Sequence, residues 1–516
     1  MYPGVYATKR ANDPAIIMAS SGETITYAQL EARQNRLAHY LRSLGLKRLD
    51  HIAIFMENNA RYIECCGAGE RSGYYFTCIN SFLTAEELAY IVRNCEARVL
   101  ITSQAKRDLA LTAMKSCPGL GLCIVVDGPG DGAKVVNLVE ATQDMPNTPI
   151  ADERLGTAML YSSGTTGQPK GVLRPLPDQP PSQRLPLFDF IDKLWRNREG
   201  MVYLSPAPLY HSAPQAAVNL AIGNGATVIV MERFDAEHYL QLVERYKVTH
   251  SQLVPTMFSR LLKLPDDVRK KYDCSTLEVI VHGAAPCPIP VKRQMIEWWG
   301  PIIHEYYGAT EGLGFTACDT PEWLAHPGTV GKLMFGDLHI LDEEMEPVPN
   351  GVSGTLWFKP GSPSVYFNDA ERTRESRSPD GTMVTVGDIG YLDDDGYLYL
   401  TDRATFMIIS GGVNIYPQEC ENLLITHPKV ADAAVFGVPN ADLGEEVKAV
   451  IQPIPGATPG AELEQELIAF CSRHLARQKV PRSIDFSEEL PRLPTGKLYK
   501  RILREAYWSD RKGRIV

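Results

Sequence analysis

At 516 residues, the chain is longer than one hydrophobic core usually serves, so we expect at least two domains. Its composition, 44% hydrophobic and 22% charged, is typical of a soluble globular protein. The formal net charge of -10 provides no basic face, which argues against nucleic acid as the principal partner.

The first part of the chain alternates short apolar strands with helices. Thr26 and Gln29 form a capping box, and leucines at helical spacing follow it until Gly45 closes the predicted helix. A second capping box, at Thr84 and Glu87, begins another helix. The strands that the sequence predicts here are 51–56, 74–79 and 99–102. This alternation predicts an α/β domain with a largely parallel sheet.

The stretch from Tyr161 to Val172 has the composition of a nucleotide-binding loop. It follows an apolar run and contains four aliphatic hydroxyls, three glycines and one lysine, namely Ser162, Ser163, Thr165, Thr166, Gly164, Gly167, Gly171 and Lys170. Backbone amides, hydroxyls and the lysine of such a loop can converge on a polyphosphate. It is not a Walker A loop, because Lys170 is preceded by proline and followed by glycine. Taken alone, it could also be a solvated turn.

The alternation resumes after a proline-rich segment at 174–184, which we expect to be an exposed loop. From about residue 354, short strands with Asp/Gly turns predict a β-rich subdomain. A smaller α/β pattern begins at 404, so we predict domains at 1–403 and 404–516. The remaining predicted strands are 201–204, 226–231, 251–254, 277–281, 302–306, 433–438 and 447–451, and the remaining predicted helices are 236–246, 290–299, 417–424 and 461–475.

The cysteines and the apolar stretches indicate a cytoplasmic protein. Apart from Cys65 and Cys66, the eleven cysteines are scattered without metal-ligand or disulfide spacing, so we expect reduced, mostly buried thiols. The longest stretch of small apolar residues, 216–231, is interrupted by Asn219 and cannot span a bilayer. The amino terminus lacks the features of a signal peptide.

Four ordered motifs carry a resemblance to a known family. They are Ser162 to Gly171, Tyr306-Tyr-Gly-Ala-Thr-Glu-Gly312, Thr385-Val-Gly-Asp388 with Asp402-Arg403, and Pro494-Thr-Gly-Lys497. Together they resemble the adenylate-forming superfamily, which includes acyl-CoA synthetases, aryl-CoA ligases, luciferases and peptide-synthetase adenylation domains. The resemblance covers nearly the whole chain. It implies a large amino-terminal adenylation domain, with two α/β sheets and a β-rich subdomain, and a small mobile α+β carboxy-terminal domain.

The family joins a carboxylate to the α-phosphate of ATP, and a thiol then attacks the acyl-adenylate. Because an anion meets a tetra-anion in the first step, the site must supply positive charge and oriented donors. The resemblance implies that Ser162, Thr165, Thr166 and Lys170, in the loop that also holds Ser163, Gly164 and Gly167, bind the β- and γ-phosphates. It places Mg²⁺ near Thr310 and Glu311, since a hard dication suits carboxylate and phosphate oxygens.

The resemblance also assigns the nucleoside and the catalytic lysine. Tyr307 and Gly308 lie against adenine on one side, and Gly283, Ala284, Ala285 and Pro286 form the other wall. Asp388 binds the ribose hydroxyls with Arg403 nearby. Lys497 reaches the bound carboxylate and the α-phosphate, where its ammonium offsets developing charge.

In the family, the small domain then turns to present a different face during thioester formation. Here that face is Ser410, Gly411 and Gly412, which would line the tunnel for the pantetheine arm of coenzyme A, since glycines allow close approach of a thin chain. Thr405 departs from the family, which usually has Asp or Lys at that hinge position. Threonine can absorb the backbone change, but the pivot residue is left open.

The acyl site is expected to be hydrophobic. His211, in Pro208-Leu-Tyr-His211, would line the channel between the carboxylate and the thiol, and no acid stands there to bind an α-amino group. Small residues such as Gly308 and Gly314 are expected to leave room for a bulky tail. By family position the pocket draws on Ser212, Val254, Pro255, Thr256, His282, Gly283, Gly308, Leu313, Gly314 and Phe315.

The sequence thus predicts an AMP-forming acid–CoA ligase that uses ATP, Mg²⁺ and coenzyme A. Its substrate would be a medium- or long-chain, alicyclic or aromatic carboxylic acid. One alternative is a ligase that loads a carrier protein; the absence of an appended carrier domain after Lys497 favours free CoA. Another is an inactive nucleotide-binding homologue, against which Lys497, Glu311, Asp388 and Arg403 count. The oligomeric state is left open, a homodimer included.

Overall fold

The structure is a computed structural model, and it describes residues 2–162, 169–361, 364–403, 406–410, 413–440, 442–492 and 498–508. By internal contacts the chain divides into two compact units. Unit 1 comprises Met1–Leu253, Leu264–Val281 and Ser362–Glu375, and unit 2 comprises Val254–Lys263, His282–Gly361 and Ser376–Val516. The predicted division at 403/404 stays a prediction.

The α-helices are α1 (Tyr6–Lys9), α2 (Tyr27–Ser43), α3 (Ala60–Arg71), α4 (Ala85–Asn94), α5 (Arg107–Met114), α6 (Leu138–Thr142), α7 (Pro186–Leu194), α8 (Ser212–Gly223), α9 (Ala236–Tyr246), α10 (Pro255–Leu262), α11 (Asp266–Lys271), α12 (Ile289–Trp299), α13 (Thr320–Ala325), α14 (Ala370–Glu375), α15 (Pro417–Leu424), α16 (Ala461–Ser472) and α17 (Lys500–Trp508). The strands of unit 1 are β1 (Pro14–Met18), β2 (Thr24–Thr26), β3 (His51–Phe55), β4 (Tyr75–Ile79), β5 (Val99–Thr102), β6 (Leu122–Val125), β7 (Val135–Asn137), β8 (Thr157–Ala158), β9 (Leu160–Ser162), β10 (Lys170–Leu173), β11 (Val202–Ser205), β12 (Thr227–Val230), β13 (His250–Leu253), β14 (Val279–His282, whose last residue belongs to unit 2) and β20 (Val365–Tyr366). Unit 2 contains β15 (Ile303–Gly308), β16 (Phe315–Cys318), β17 (Lys332–Phe335), β18 (Leu338–Leu341), β19 (Gly354–Phe358), β21 (Asp388–Leu392), β22 (Leu398–Arg403), β23 (Ile408–Ser410), β24 (Val413–Ile415), β25 (Val430–Asn440), β26 (Gly444–Pro453) and β27 (Ser483–Phe486).

Unit 1 is built on two sheets of mostly parallel strands. One has the order β7-β6-β5-β3-β4-β8, and all of its pairs are parallel. The other runs β14-β13-β11-β12-β1-β2, where β2 pairs antiparallel with β1. Parallel strands need crossover helices, which cover the faces of both sheets. A core cluster joins residues of α2, α3 and α8 to strands of both sheets.

Local sequence signals position several of these helices. The Thr26 hydroxyl accepts from Gln29 N, and Gln29 Oε1 accepts from Thr26 N, so the predicted capping box is present at the start of α2. The box at Thr84 and Glu87 begins α4 in the same way. Each box pairs backbone donors that the first turn of a helix leaves without partners.

Unit 2 contains antiparallel sheets and short helices. The strands β15, β16 and β17 pair antiparallel in that order, and β18-β19-β21-β22 form a second sheet with its own small core. The carboxy-terminal segment folds around β24-β23-β26-β25, with β27 parallel to β26. The predicted α/β class with a β-rich region and a small α+β carboxy-terminal part is confirmed.

The expectations on thiols and on the proline-rich segment are met. The cysteines are free, and all except Cys274 and Cys287 are buried. Residues 174–185 form neither helix nor strand. The helix α7, which follows them, and the helix α8 were not predicted. Among the described residues, no helix is long and apolar enough to cross a membrane.

Candidate active site

The two ends of the hydroxyl-rich loop lie opposite each other in an antiparallel pair. Lys170 on β10 pairs with Ser162 on β9, and Gly171 pairs with Tyr161. This pairing brings the lysine and the first hydroxyl residue of the loop to one place in unit 1. Ser163, Gly164, Thr165, Thr166 and Gly167 lie outside the described residues.

Lys170 has an acidic partner that the sequence did not reveal. Its Nζ donates to Asp369 Oδ2, and Asp369 caps the start of α14 by accepting from Arg372 N at 2.9 Å. The hydrogen bond from Lys170 holds the pKa of Asp369 below its usual range. Because both side chains are about three-quarters buried, the ammonium is held at a fixed point rather than left to sample solvent.

The Tyr306–Gly312 motif ends β15 and begins the turn into β16. Gly308 pairs with Phe315 across this hairpin, so Thr310 and Glu311 lie on its connecting turn. A hydroxyl and a carboxylate at one turn suit Mg²⁺, which usually takes one or two carboxylates and completes its shell with phosphate and water oxygens. The described residues contain no cluster of three or more His, Cys, Asp or Glu able to hold a metal ion. A hydroxyl and one carboxylate are a donor set that fits Mg²⁺ when phosphate oxygens supply other ligands.

The ribose and adenine candidates are joined directly in unit 2. The Tyr307 hydroxyl donates to Asp388 Oδ2 at 2.7 Å. Asp388 on β21 lies opposite Arg403 on β22 in an antiparallel pair. Since Tyr307 is anchored through its hydroxyl, its ring is held in one orientation, as a stacking surface requires.

The Gly283–Pro286 loop packs closely against the same strand end. A Cβ on Gly283 would lie 2.8 Å from Tyr306 Cε1 and 2.9 Å from the Tyr306 carbonyl oxygen. The next residue, Ala284, has φ of 67°, a left-handed conformation that costs energy for a residue other than glycine. Close approach and strain at adjacent residues indicate a loop whose backbone shape is tightly specified.

We expect Gly283→Ala to raise the KM for ATP about 10- to 100-fold, because overpacking of about 1–3 kcal/mol must displace Tyr306 from beside the adenine candidate. Steady-state kinetics at varied ATP measure this change. The matched control is Gly119→Ala, since a Cβ at Gly119 meets nothing within 4 Å. A KM for ATP that changes equally little in both variants contradicts the assignment of this loop.

Two of the predicted acyl-site residues are placed differently from expectation. A Cβ on Gly314 would lie 2.5 Å from Phe358 Cε1, so the missing side chain makes space for Phe358, and the prediction that Gly314 leaves room for substrate is wrong. His282 has no exposed surface and therefore lies behind any pocket wall. Val254, Pro255, Leu313 and Phe315 are buried, while Thr256 and Ser212 are half-buried.

His282 belongs to a buried charged cluster. Lys292 Nζ donates to Glu305 Oε2 at 2.6 Å and lies 4.6 Å from the centre of the Trp323 ring, and His282 Nε2 is 3.5 Å from the same carboxylate oxygen. Burial and the Lys292 charge hold the pKa of His282 well below its usual range, and burial raises the pKa of Glu305. Glu305 is on β15, two residues before Tyr307. The ion pair therefore braces the strand that carries the adenine candidate.

His211 is the N-cap residue of α8, and Ser212 is the first residue of that helix. The centroids of the His211 and Tyr210 rings are 4.4 Å apart. The Pro208 carbonyl accepts from His211 N at 3.3 Å. The Pro-x-x-His sequence thus forms a tight turn that leads into a helix. This turn follows β11 at the carboxyl end of the strand, where open α/β sheets bind ligands.

In the carboxy-terminal segment the structure describes the flanks of the predicted functional loops. Ser410 pairs with Val413 across β23 and β24, whereas Gly411, Gly412 and the hinge candidate Thr405 lie outside the described residues. Arg492 pairs with Leu498 in an isolated antiparallel β-bridge. Its side chain forms a bidentate ion pair with Asp432. Lys497 lies outside the described residues.

Comparison with known proteins identifies the family. The family model for AMP-binding enzymes matches residues 5–365, and that for the AMP-binding enzyme C-terminal domain matches residues 419–497. The chain belongs to the adenylate-forming superfamily as an AMP-forming acid–CoA ligase. The resemblance predicted from the four motifs is confirmed.

Relatives and solved structures of this ligase family cover nearly the full chain. The chain is 31% identical to the long-chain-fatty-acid–CoA ligase FadD13 of Mycobacterium tuberculosis, over 96% of this chain and 95% of that protein. It is 30% identical to the fatty acid–[acyl-carrier-protein] ligase ScoC of Streptomyces coeruleorubidus, over 98% and 95%. The crystal structure of ATP-bound MatB from Rhodopseudomonas palustris matches with a TM-score of 0.82 at 28% identity, covering 99% of this chain and all of MatB.

The structure of this acid–CoA ligase thus assembles part of the predicted site. Within unit 2 it brings together Gly283, Tyr306, Tyr307, Asp388 and the Arg403 backbone, and within unit 1 it pairs Lys170 with Ser162. The sequence does not show that Asp369 is a partner of Lys170, because the two residues are 199 positions apart. The roles of the individual site residues stay predictions.

Proposed function

We propose that this acid–CoA ligase activates a hydrophobic carboxylic acid as its acyl-adenylate and transfers the acyl group to coenzyme A. The observation that supports it best is the Tyr307–Asp388–Arg403 arrangement beside the Gly283 loop, which suits an adenosine. The apolar character of Val254, Leu313 and Phe315 and the lack of an acid at His211 favour a hydrophobic tail over an amino acid.

In the proposed first step, a carboxylate oxygen of the acid attacks the α-phosphorus of ATP, and the bond to pyrophosphate breaks. Tyr307 and Asp388 hold the nucleoside, while Lys170 and the hydroxyl residues of its loop hold the leaving phosphates. Lys497 offsets the charge that develops around the α-phosphate. Glu311 and Thr310 would hold Mg²⁺, which supplies positive charge to the phosphate oxygens when bound.

In the proposed second step, the thiol sulfur of coenzyme A loses its proton to solvent and attacks the acyl carbon, and AMP leaves with the electron pair of the broken acyl–oxygen bond. His211, on its turn before α8, lines the path between the carboxylate and the thiol. Ser410 borders the segment that would guide the pantetheine arm.

A second acceptor has a specific observation in its favour. ScoC, a relative of similar identity, is named as a ligase that loads a fatty acid onto an acyl-carrier protein. The chemistry of both acceptors is the same, because each presents a pantetheine thiol. The acceptor is therefore decided by what surface or pocket binds the remainder of that molecule.

Pyrophosphate release with a panel of acids tests this proposal. The panel contains hexanoate, palmitate, cyclohexanecarboxylate, benzoate, acetate and alanine, each without an acceptor, with CoA, and with a phosphopantetheinylated carrier protein. We expect release that depends on a hydrophobic acid and becomes multiple-turnover with CoA. A preference for acetate or alanine contradicts the hydrophobic pocket, and turnover only with a carrier protein contradicts CoA as acceptor.

A further inference from the structure

The side chain of Asn58 connects three strand ends in unit 1. It is 7% exposed and follows β3 of the six-stranded sheet by three residues. Its Nδ2 donates to the Ala207 carbonyl at 3.1 Å and to the Met231 carbonyl at 2.9 Å, and its Oδ1 accepts from Leu209 N at 2.8 Å. Ala207 follows β11 and Met231 follows β12, both in the other sheet. One amide thus bridges the carboxyl ends of strands from both sheets.

The chemistry of these contacts specifies asparagine. The two carbonyls need donors and the Leu209 amide needs an acceptor, and a primary amide offers both at one carbon. Aspartate would present oxygens to two carbonyls, and an aliphatic residue would leave three buried backbone groups unpaired, which is costly. The Asn58 side chain therefore holds these three backbone groups in fixed positions, and we call it the strut.

The strut holds the turn that carries His211. Ala207 and Leu209 flank Pro208, whose carbonyl accepts from His211 N. One turn later on α8, Gln215 Nε2 donates to Cys78 Sγ on β4 at 2.8 Å. Both ends of the segment 207–215 are thus attached to neighbouring strands of the six-stranded sheet, β3 through Asn58 and β4 through Gln215.

We propose that Asn58 is a positioning residue for the acyl-transfer site, which it serves by fixing the Pro208–His211 turn. The inference rests on the proposed role of His211 at the path between carboxylate and thiol. Nucleotide contacts come from other segments, around Lys170, Tyr307 and Asp388. Loss of Asn58 should therefore disturb binding of the acid and of CoA while leaving ATP binding intact.

The test is the KM of each substrate in Asn58→Ala. We expect the KM values for acid and CoA to rise at least about tenfold, the effect of losing about 1.4 kcal/mol, and the KM for ATP to stay within about twofold. Asn58→Ala combined with His211→Ala should be no more than about twofold worse than His211→Ala alone, because both act through one turn. The matched control is Asn59→Ala, which removes the cap from α3 without touching the turn and should leave all three KM values unchanged.

The outcomes separate this inference from the proposed function. A wild-type protein that forms no AMP with any acid refutes the proposed function. An active wild type with unchanged KM values in Asn58→Ala, or a loss confined to kcat, overturns the role of Asn58. If neither Asn58→Ala nor the equal-volume Asn58→Asp folds, we measure hydrogen exchange at the Leu209 amide of the wild type. Protection as strong as that of the β11 amides supports the strut, and fast exchange contradicts it.

Discussion

Replacing Lys497 with alanine is expected to slow acyl-adenylate formation by about 10²- to 10³-fold or more, while acyl-adenylate supplied ready-made still reacts with CoA at nearly the wild-type rate. The carboxylate and the triphosphate are both anionic, so the first step depends on positive charge near the α-phosphate. The second step starts from the acyl-adenylate and releases AMP, and it does not need that ammonium. Single-turnover assays of each half-reaction measure the two rates.

The flanks of Lys497 make this variant a clean test. Arg492 pairs with Asp432, and Lys500 Nζ lies 2.8 Å from Glu421 Oε1, so neither of these flanking ion pairs is removed by the Lys497→Ala substitution. Lys479→Ala is the matched control, because this lysine also belongs to the carboxy-terminal part of the chain and pairs with Glu419, with side chains that are 33% and 50% exposed. Equal losses in both half-reactions would show that Lys497 is not specific to adenylation.

Lys292→Met is expected to lower the free energy of unfolding by about 3–5 kcal/mol, because it leaves the carboxylate of Glu305 buried without its partner. Both side chains are at most 5% exposed, and the pKa of Glu305 is already raised by burial. The double variant Lys292→Met/Glu305→Leu removes both charges and should recover most of the loss. Urea unfolding of the three proteins measures these differences.

A surface pair gives the control for this comparison. Lys429 and Glu466 are 50% and 40% exposed, so Lys429→Met should cost no more than about 1 kcal/mol. If Lys292→Met is equally mild, or if the double variant is as unstable as the single one, the buried pair does not brace β15. In that event the hydrogen bond to Asp388 orients Tyr307 without help from this ion pair.

Elements with strong local signals were predicted well from the sequence. The helix predicted at 236–246 is α9 with the same bounds, and that at 417–424 is α15. Both have an amphipathic pattern, and α9 is also preceded by Asp235, which caps it by accepting from His238 N. Local propensity and burial agree in these segments, so a single sequence suffices.

The helix α8 was missed for a physical reason. Its polar residues Gln215 and Asn219 face the protein interior, where they pair with Cys78 and Glu70. A helix whose inner face carries amides gives no clean apolar stripe, and the periodicity test fails. Because amides and apolar residues share the inner face of α8, this helix is held by hydrogen bonds as well as by packing.

Site residues defined by motifs were predictable, but those defined by distant contacts were not. Tyr307 and Asp388 were singled out separately by their motifs, and the structure joins them across 81 residues. Asn58 stands in no motif, and its partners lie 149 to 173 residues away. Nothing in a single sequence links such positions, since the fold alone brings the strand ends together.

Carboxylate-dependent exchange of radioactive pyrophosphate into ATP, measured without CoA, tests the central claim most directly. Reversible formation of an acyl-adenylate predicts exchange that requires a hydrophobic acid and persists in the absence of any thiol. Label that stays in pyrophosphate with every acid offered, or ATP that is converted to ADP and phosphate instead, would contradict the adenylation chemistry on which this account depends.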